Sequence, residues 1–169
     1  RVSLTFDGAP LNDTGNYAIF SNQMMDPELI SRANVNMGST DVDSPTASAT
    51  GGTINYVTAV PEEEWRLLLQ PSVGDFNYWR LFGRLDTGEF GPMDTRLFAA
   101  ASYQNYDQFV GPGELEKQQY NVRLYQPLGD GGDFVSVAFH WNQNRNHFYS
   151  QGTLADWNAN PDFSNNATC

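Results

Sequence analysis

Between Trp65 and Trp141 apolar and polar residues alternate in five runs of roughly ten residues, and this period of two constrains the fold more than any other feature of the chain. In the first run Trp65, Leu67 and Leu69 share one face. In the second, Trp79, Leu81, Gly83 and Leu85 lie opposite Tyr78, Arg80, Phe82, Arg84 and Asp86. The third sets Leu97, Ala99, Ala101 and Tyr103 against Arg96, Phe98, Ser102 and Gln104. The fourth sets Tyr120, Val122 and Leu124 against Asn121, Arg123 and Tyr125, and the fifth Val135, Val137, Phe139 and Trp141 against Ser136, Ala138, His140 and Asn142. Successive side chains of a strand point to opposite faces, so each run is a strand with one apolar face. Turn chemistry separates the runs at 71–75, 90–94, 110–113 and 128–133. The last of these, Leu-Gly-Asp-Gly-Gly-Asp, is the clearest hairpin turn.

Two architectures fit such strands. In a soluble sandwich the apolar faces meet in a core. In a membrane barrel they face lipid, and Trp65, Tyr78, Trp79, Tyr103, Tyr106 and Trp141 near strand ends suit interfacial girdles. No run approaches 18 apolar residues, so no membrane-spanning helix is expected, which leaves a barrel open. The 9 basic and 20 acidic residues give a net charge of -11, which argues against nucleic acid and against a polybasic membrane-surface helix. The single cysteine, Cys169, leaves no disulfide framework.

The first third has a different character. Val2, Leu4 and Phe6 alternate as a short strand, and Asp7-Gly8-Ala-Pro turns the chain. Residues 14–25 read as a loop. Asp26-Pro27-Glu28 has the chemistry of a helix start, with about two turns following, and 33–37 alternates again. The stretch 38–56 then runs from Gly38 through small polar residues to Gly51-Gly52 and the strand-forming Thr53-Ile-Asn-Tyr-Val-Thr. Small side chains over so many positions imply close backbone packing or a loop without a core, and the two glycines can supply positive φ or close approach. Glu62-Glu63-Glu64 reads as a solvated linker, and the Asn- and Asp-rich tail 143–169 as a long loop.

The order Val-Ser-Leu-Thr-Phe-Asp-Gly-Ala-Pro, Asp-Pro-Glu-Leu-Ile-Ser-Arg, Gly-Ser and Gly-Gly-Thr-Ile-Asn-Tyr-Val-Thr resembles the plug domain of TonB-dependent outer-membrane receptors. Asp7, Gly8, Gly38, Gly51, Gly52 and Asn55 are the structural positions of that motif. The resemblance implies a mainly β fold: part of a mixed α/β plug domain at 1–61, followed at 62–169 by antiparallel strands of a transmembrane β-barrel. A complete barrel of this class has about 22 strands, so the chain is expected to be a fragment. By the same resemblance, 71–75 and 109–116 would be outer loops and 88–94 and 128–133 periplasmic turns. The sequence departs from the family at Ser31-Arg-Ala-Asn-Val35 and at Ser44-Pro-Thr-Ala-Ser48, which suggests a divergent subgroup. The implied function is energy-coupled uptake of a scarce nutrient of the siderophore, vitamin or glycan class across the outer membrane of a Gram-negative bacterium. The implied partners are the nutrient ligand, outer-membrane lipid and an inner-membrane energy-coupling protein, the last reached through an N-terminal part not present here.

Little else in the sequence suggests chemistry, and no enzyme activity, catalytic residue, cofactor or metal is expected. His140 and His147 have no metal-ligand spacing. Asp41-Val-Asp43-Ser44 opens like a calcium loop but lacks the later glycine and glutamate. Asn12-Asp-Thr14 and Asn166-Ala-Thr168 match a glycosylation pattern that arises readily by chance. Arg80, Arg84 and Arg123 fall on the polar face. In the receptor reading they line the lumen, where contacts between wall and plug are the first expectation and an anionic ligand the second. The alternative from another class is a soluble carbohydrate-binding or glycan-hydrolysing sandwich, with Trp and Tyr stacking on sugars. A third possibility, a small barrel of about eight strands, fits less well because five strand units are readable. The positions of Trp79, Leu81, Val137 and Phe139, in a protein core or facing outward, discriminate between receptor and sandwich.

Overall fold

The computed structural model describes residues 2–12, 24–38, 49–109, 113–146 and 152–160. The expectations for Asp41–Ser44, His147, Cys169 and the 166–168 pattern lie outside these residues. Five strands, β5 (Trp65–Val73), β6 (Trp79–Thr87), β7 (Arg96–Asp107), β8 (Glu114–Pro127) and β9 (Phe134–Asn146), form one antiparallel sheet in chain order, with β5 and β9 at its edges. The preceding residues form a four-stranded sheet from β1 (Ser3–Phe6), β2 (Ala9–Pro10), β3 (Ile30–Met37) and β4 (Gly52–Thr58). Its order is β2-β1-β4-β3, with β1 and β4 parallel and the other pairs antiparallel.

The register decides which face of the large sheet meets the small one. Arg84 pairs with Ala100 and Ala100 with Asn121, while Phe82 pairs with Ser102 and Ser102 with Gln119. These even-numbered positions of β6 and β7, continued by Gln119, Asn121 and Arg123 on β8, face the small sheet. Phe82 and Phe98, the two large apolar residues among them, are fully buried and join Met25, Leu29 and Ala100 in the core. Phe6, Ile30 and Leu68 pack around that cluster. The opposite face carries the apolar set: Trp79, Leu81, Val137 and Phe139 are 46%, 49%, 63% and 60% exposed. The sheet is thus inverted relative to a sandwich, with its polar face covered and its apolar face open.

Three sequence expectations are corrected. Asp26-Pro27-Glu28 begins no two-turn helix; Pro27–Leu29 is a single 3-10 turn, and the Asp26 side chain makes no cap hydrogen bond. Its carboxylate is drawn instead to the large sheet. The 71–75 turn lies further on: β5 runs through Pro71, which an edge strand tolerates because a missing N–H breaks no interior ladder. The reversal falls at 74–78, where Phe76 and Asn77 have φ of 57° and 53° and the Tyr78 N–H donates to Asp75 O. The tail is not all loop. Strand β9 extends to Asn146, and α1 (Leu154–Ala159) carries a reciprocal capping box between Thr153 and Asp156.

Of the two glycines before β4, Gly52 carries the structural requirement. Its φ is 112°, and a Cβ there would collide with the carbonyl oxygen of Asn36 and lie 3.2 Å from Met37 Cα. Gly51 is exposed and lies outside the positive-φ positions. Gly52→Ala is therefore expected to cost about 2–3 kcal/mol by strain and displacement of β3, read from urea unfolding in detergent, whereas Gly51→Ala stays near neutral.

Candidate functional site

The seam between the two sheets gathers the polar side chains that alternation placed on one face, and all three predicted arginines lie in it. Arg80, on β6, donates through Nη2 to Asp26 Oδ1 at 2.9 Å and through both terminal nitrogens to the Glu28 carboxylate at 2.6 and 2.8 Å. Ser102, across on β7, donates to the same Asp26 oxygen at 2.8 Å. The other oxygen, Asp26 Oδ2, is buried and has no hydrogen-bond partner among the described residues.

Arg84, four residues further along β6 on the same face, forks onto Asp86 at 2.9 and 2.6 Å and donates to Val60 O at 3.1 Å. Its guanidinium lies 4.5 Å from the ring centroid of Phe98. Asp86 also accepts the Glu62 N–H at 3.0 Å. Arg123, on β8, bonds the Thr58 hydroxyl, approaches the carbonyls of Thr58 and Ala59 at 3.4 Å and Asp7 Oδ2 at 3.5 Å, and donates through Nε to Ser136 at 2.9 Å. Arg84 and Arg123 thus hold the backbone that leaves the small sheet, and Arg80 holds the 3-10 turn by charge. Each guanidinium is engaged by protein groups, so a ligand reaching any of them must displace such a partner.

The predicted motif residues of the small sheet brace one another. Asp7 accepts the Thr58 N–H at 2.9 Å and the Thr58 hydroxyl, tying the end of β1 to the end of β4. Asn55 Oδ1 accepts the Thr5 hydroxyl at 2.7 Å and the Gly8 N–H at 3.3 Å, and Gly8, at φ 85°, makes the turn that brings its N–H there. Gly38 ends β3 at φ 95°. These contacts lie within the small sheet, and Asp7 also reaches Arg123 of the large one, at 3.5 Å.

Sequence reasoning passed over Asp26, Glu28, Asp86 and Ser102. For the first two the signal is an acidic pair flanking a proline, which is equally the chemistry of a helix cap, and for Asp86 it is the spacing of two from Arg84 on one strand face. His140 is also in the seam: Nδ1 is 2.8 Å from Asn121 Oδ1, and its ring stands edge-on to Phe6 at 5.0 Å. Of the three linker glutamates, Glu62 pairs with Arg66 at 2.9 Å and Glu63 with Arg96 at 3.1 Å, exposed pairs of small energetic weight. A cavity of about 470 Å³ opens beside Arg80, walled by Tyr56, Tyr78, Gln104 and Lys117.

Burial pushes the Glu28 carboxyl up, but hydrogen bonds from Arg80 and the charges of Arg80 and Lys117 outweigh it and hold its pKa below the ordinary value. A depressed folded-state pKa contributes stability above the unfolded value, near 4.3, that is lost as pH falls through the folded one. Acid titration of intrinsic fluorescence is therefore expected to show the seam loosening below about pH 4 in the native protein. In Glu28→Gln that part of the pH dependence is expected to vanish.

On the outward face the aromatic residues pair across strands: Trp79 with Tyr103 at 4.9 Å and Tyr120 with Trp141 at 5.3 Å between ring centroids. Among the described residues no helix is long and apolar enough to cross a membrane, which says nothing of a β-barrel.

No protein-family profile and no curated protein matches the sequence. Solved structures do. The pyoverdine outer membrane receptor FpvA from Pseudomonas aeruginosa, bound to pyoverdine, superposes with a TM-score of 0.71 at 22% identity over 84% of this chain and 20% of the receptor. The ferripyoverdine receptor of the outer membrane of Pseudomonas aeruginosa, bound to ferripyoverdine, gives 0.69 at 21% identity over 84% and 19%. The FpvAI–pyocin S2 complex gives 0.69 at 22% identity over 84% and 18%. The chain therefore spans about a fifth of the length of these structures. At this identity the likeness is one of fold: the chain has the architecture of part of an outer-membrane receptor, as the TonB-dependent resemblance in the sequence implied. The large sheet is an open arc whose edge strands β5 and β9 do not pair with each other.

Proposed function

We propose that the chain is part of a TonB-dependent outer-membrane receptor that takes up a scarce nutrient with energy supplied from the inner membrane. The single observation that carries this reading is the inverted sheet, whose apolar face is open and whose polar face is stitched to a folded lobe. A sheet facing lipid outside and a plug inside needs that arrangement. A glycan-binding sandwich needs the reverse, with Trp79, Leu81, Val137 and Phe139 inside. In this reading 1–61 belongs to the plug and 62–169 to the barrel, and Arg80, Arg84 and Arg123 serve as plug anchors rather than as ligand contacts. Function then consists of ligand capture at the outer end followed by rearrangement of the plug against the wall, with no covalent chemistry.

The solved neighbours that hold pyoverdine and ferripyoverdine support a ferric siderophore as the first ligand class to test. Expressed in a Gram-negative host lacking its own siderophore receptors, the receptor is expected to fractionate with the outer membrane. It is also expected to support siderophore-dependent iron uptake that stops when the proton-motive force is collapsed. Recovery from the periplasm, or uptake indifferent to that collapse, contradicts the proposal.

A further inference from the structure

The hairpin that joins β5 to β6 carries an unfavourable residue at its tip. The Tyr78 N–H donates to Asp75 O at 3.1 Å, and the two residues between them, Phe76 and Asn77, have φ of 57° and 53°. Two successive left-handed residues give a turn whose twist matches the strands, and asparagine followed by glycine is its ordinary occupant. Asparagine tolerates that region, whereas a bulky side chain at positive φ is strained. The neighbouring strand holds the tip in place: the Asp107 N–H donates to Phe76 O at 2.8 Å, and the Asn77 amide bonds the Asp107 carboxylate.

The strained residue secures little inside the protein. Phe76 meets Phe109 edge-on with ring centroids 5.3 Å apart, yet the two residues are 50% and 80% exposed. Carboxylates surround the pair. Asp75 opens the turn, Asp107 braces it from β7, and Glu114 lies opposite Asp107 in the register of β7 and β8. Residues 71–79 and 97–116 contain no lysine or arginine. Of the cations that follow, Lys117 lines the cavity beside Arg80, and Arg145 pairs with Glu116 at 3.8 Å.

We infer that this end of the sheet is a docking point for a basic segment of another protein, with an arginine or lysine side chain lying on the Phe76 and Phe109 rings among the carboxylates. The face of an aromatic ring attracts a cation, and fixed negative charge around it adds to that attraction and repels acidic partners. Phe76 is then kept at a strained position for the ring it presents, and backbone strain of this kind gathers at binding sites. The inference stands on the hairpin alone and is independent of the transport reading.

Fluorine NMR of the detergent-solubilised protein tests it. 4-Fluorophenylalanine replaces Phe76 or, as the control, Phe134, a comparably exposed ring at the opposite end of the sheet. Tetra-arginine amide is expected to shift the label at 76 saturably and to leave that at 134 in place, and tetra-glutamate to shift neither. Phe109→Ala is expected to weaken the saturable response about fivefold. Equal shifts at both labels would mean general attraction to an acidic protein. Saturation by argininamide at the same concentration would mean a site for a small cation. Either result overturns the inference, as does the absence of any shift. Phe76→Asn gives a second readout that needs no ligand: it is expected to melt at a higher temperature than the native protein, because asparagine suits the turn. A lower melting temperature would show that the ring is kept for the fold and would overturn the inference as well.

Discussion

Arg84→Met is expected to destabilise the protein by about 3–5 kcal/mol, because it strands a buried carboxylate. Asp86 is 1% exposed and accepts two of its hydrogen bonds from Arg84. Removing the guanidinium leaves the Glu62 N–H as its remaining donor and strips Val60 O of a partner. The Met side chain keeps contact with the Phe98 ring, so lost packing contributes little. Urea unfolding in detergent reads the effect. The double variant Arg84→Met/Asp86→Leu is expected to recover most of the loss, since an apolar pair replaces a fully buried ionic one without an orphaned charge. A double variant no more stable than the single one would mean that the ion pair itself, and not the stranded carboxylate, supplies the stability.

Phe82→Ala is expected to cost about as much, 3–5 kcal/mol, for a different reason. Phe82 is fully buried against Met25, Leu29, Phe98 and Ala100, between a rigid sheet and a one-turn 3-10 segment. A strand held on both sides by ladder hydrogen bonds cannot collapse into the space left behind, so the cavity term is retained in full. Phe82→Leu is expected to cost about half as much. By contrast Leu81→Ala, next along the chain but exposed on the outer face, is expected to change the seam by less than about 0.5 kcal/mol. The contrast between neighbouring positions is the measurement: equal effects at 81 and 82 would contradict the assignment of faces.

The large sheet was legible because alternation is a local property. Each of its five strands was placed from residues two apart, whereas the register comes from the structure, the first reversal lying at 74–78 rather than at 71–75. What alternation could not show was which face meets protein. Phe82 and Phe98 sat among arginines and serines on the polar face and looked like exceptions, yet they are the core. Only the lobe packed over them explains their burial, and that packing is not local.

The turn at Asp26 failed for a related reason. Asp-Pro-Glu carries every local mark of a helix start, but Arg80, 54 positions later in the chain, binds Asp26 more strongly than a backbone cap would. The arginines were found and their partners were not, since nothing near Arg84 or Arg123 in sequence points to Val60 or Thr58. The α1 helix was legible in principle, because Thr153 and Asp156 stand at capping-box spacing, but the Asn-rich surroundings hid it.

The central claim is that the polar face of the large sheet covers a plug while its apolar face meets lipid. A nitroxide scan along Val135–Trp141 in β9, with the protein in lipid vesicles, tests it directly. Labels at 135, 137, 139 and 141 are expected to be accessible to oxygen and protected from a water-soluble nickel complex, as lipid-facing sites are. Labels at 136, 138 and 140 are expected to be shielded from oxygen in that phase. A reversed phase, or odd positions open to the nickel complex, would show that the apolar face is not in lipid and would contradict the account.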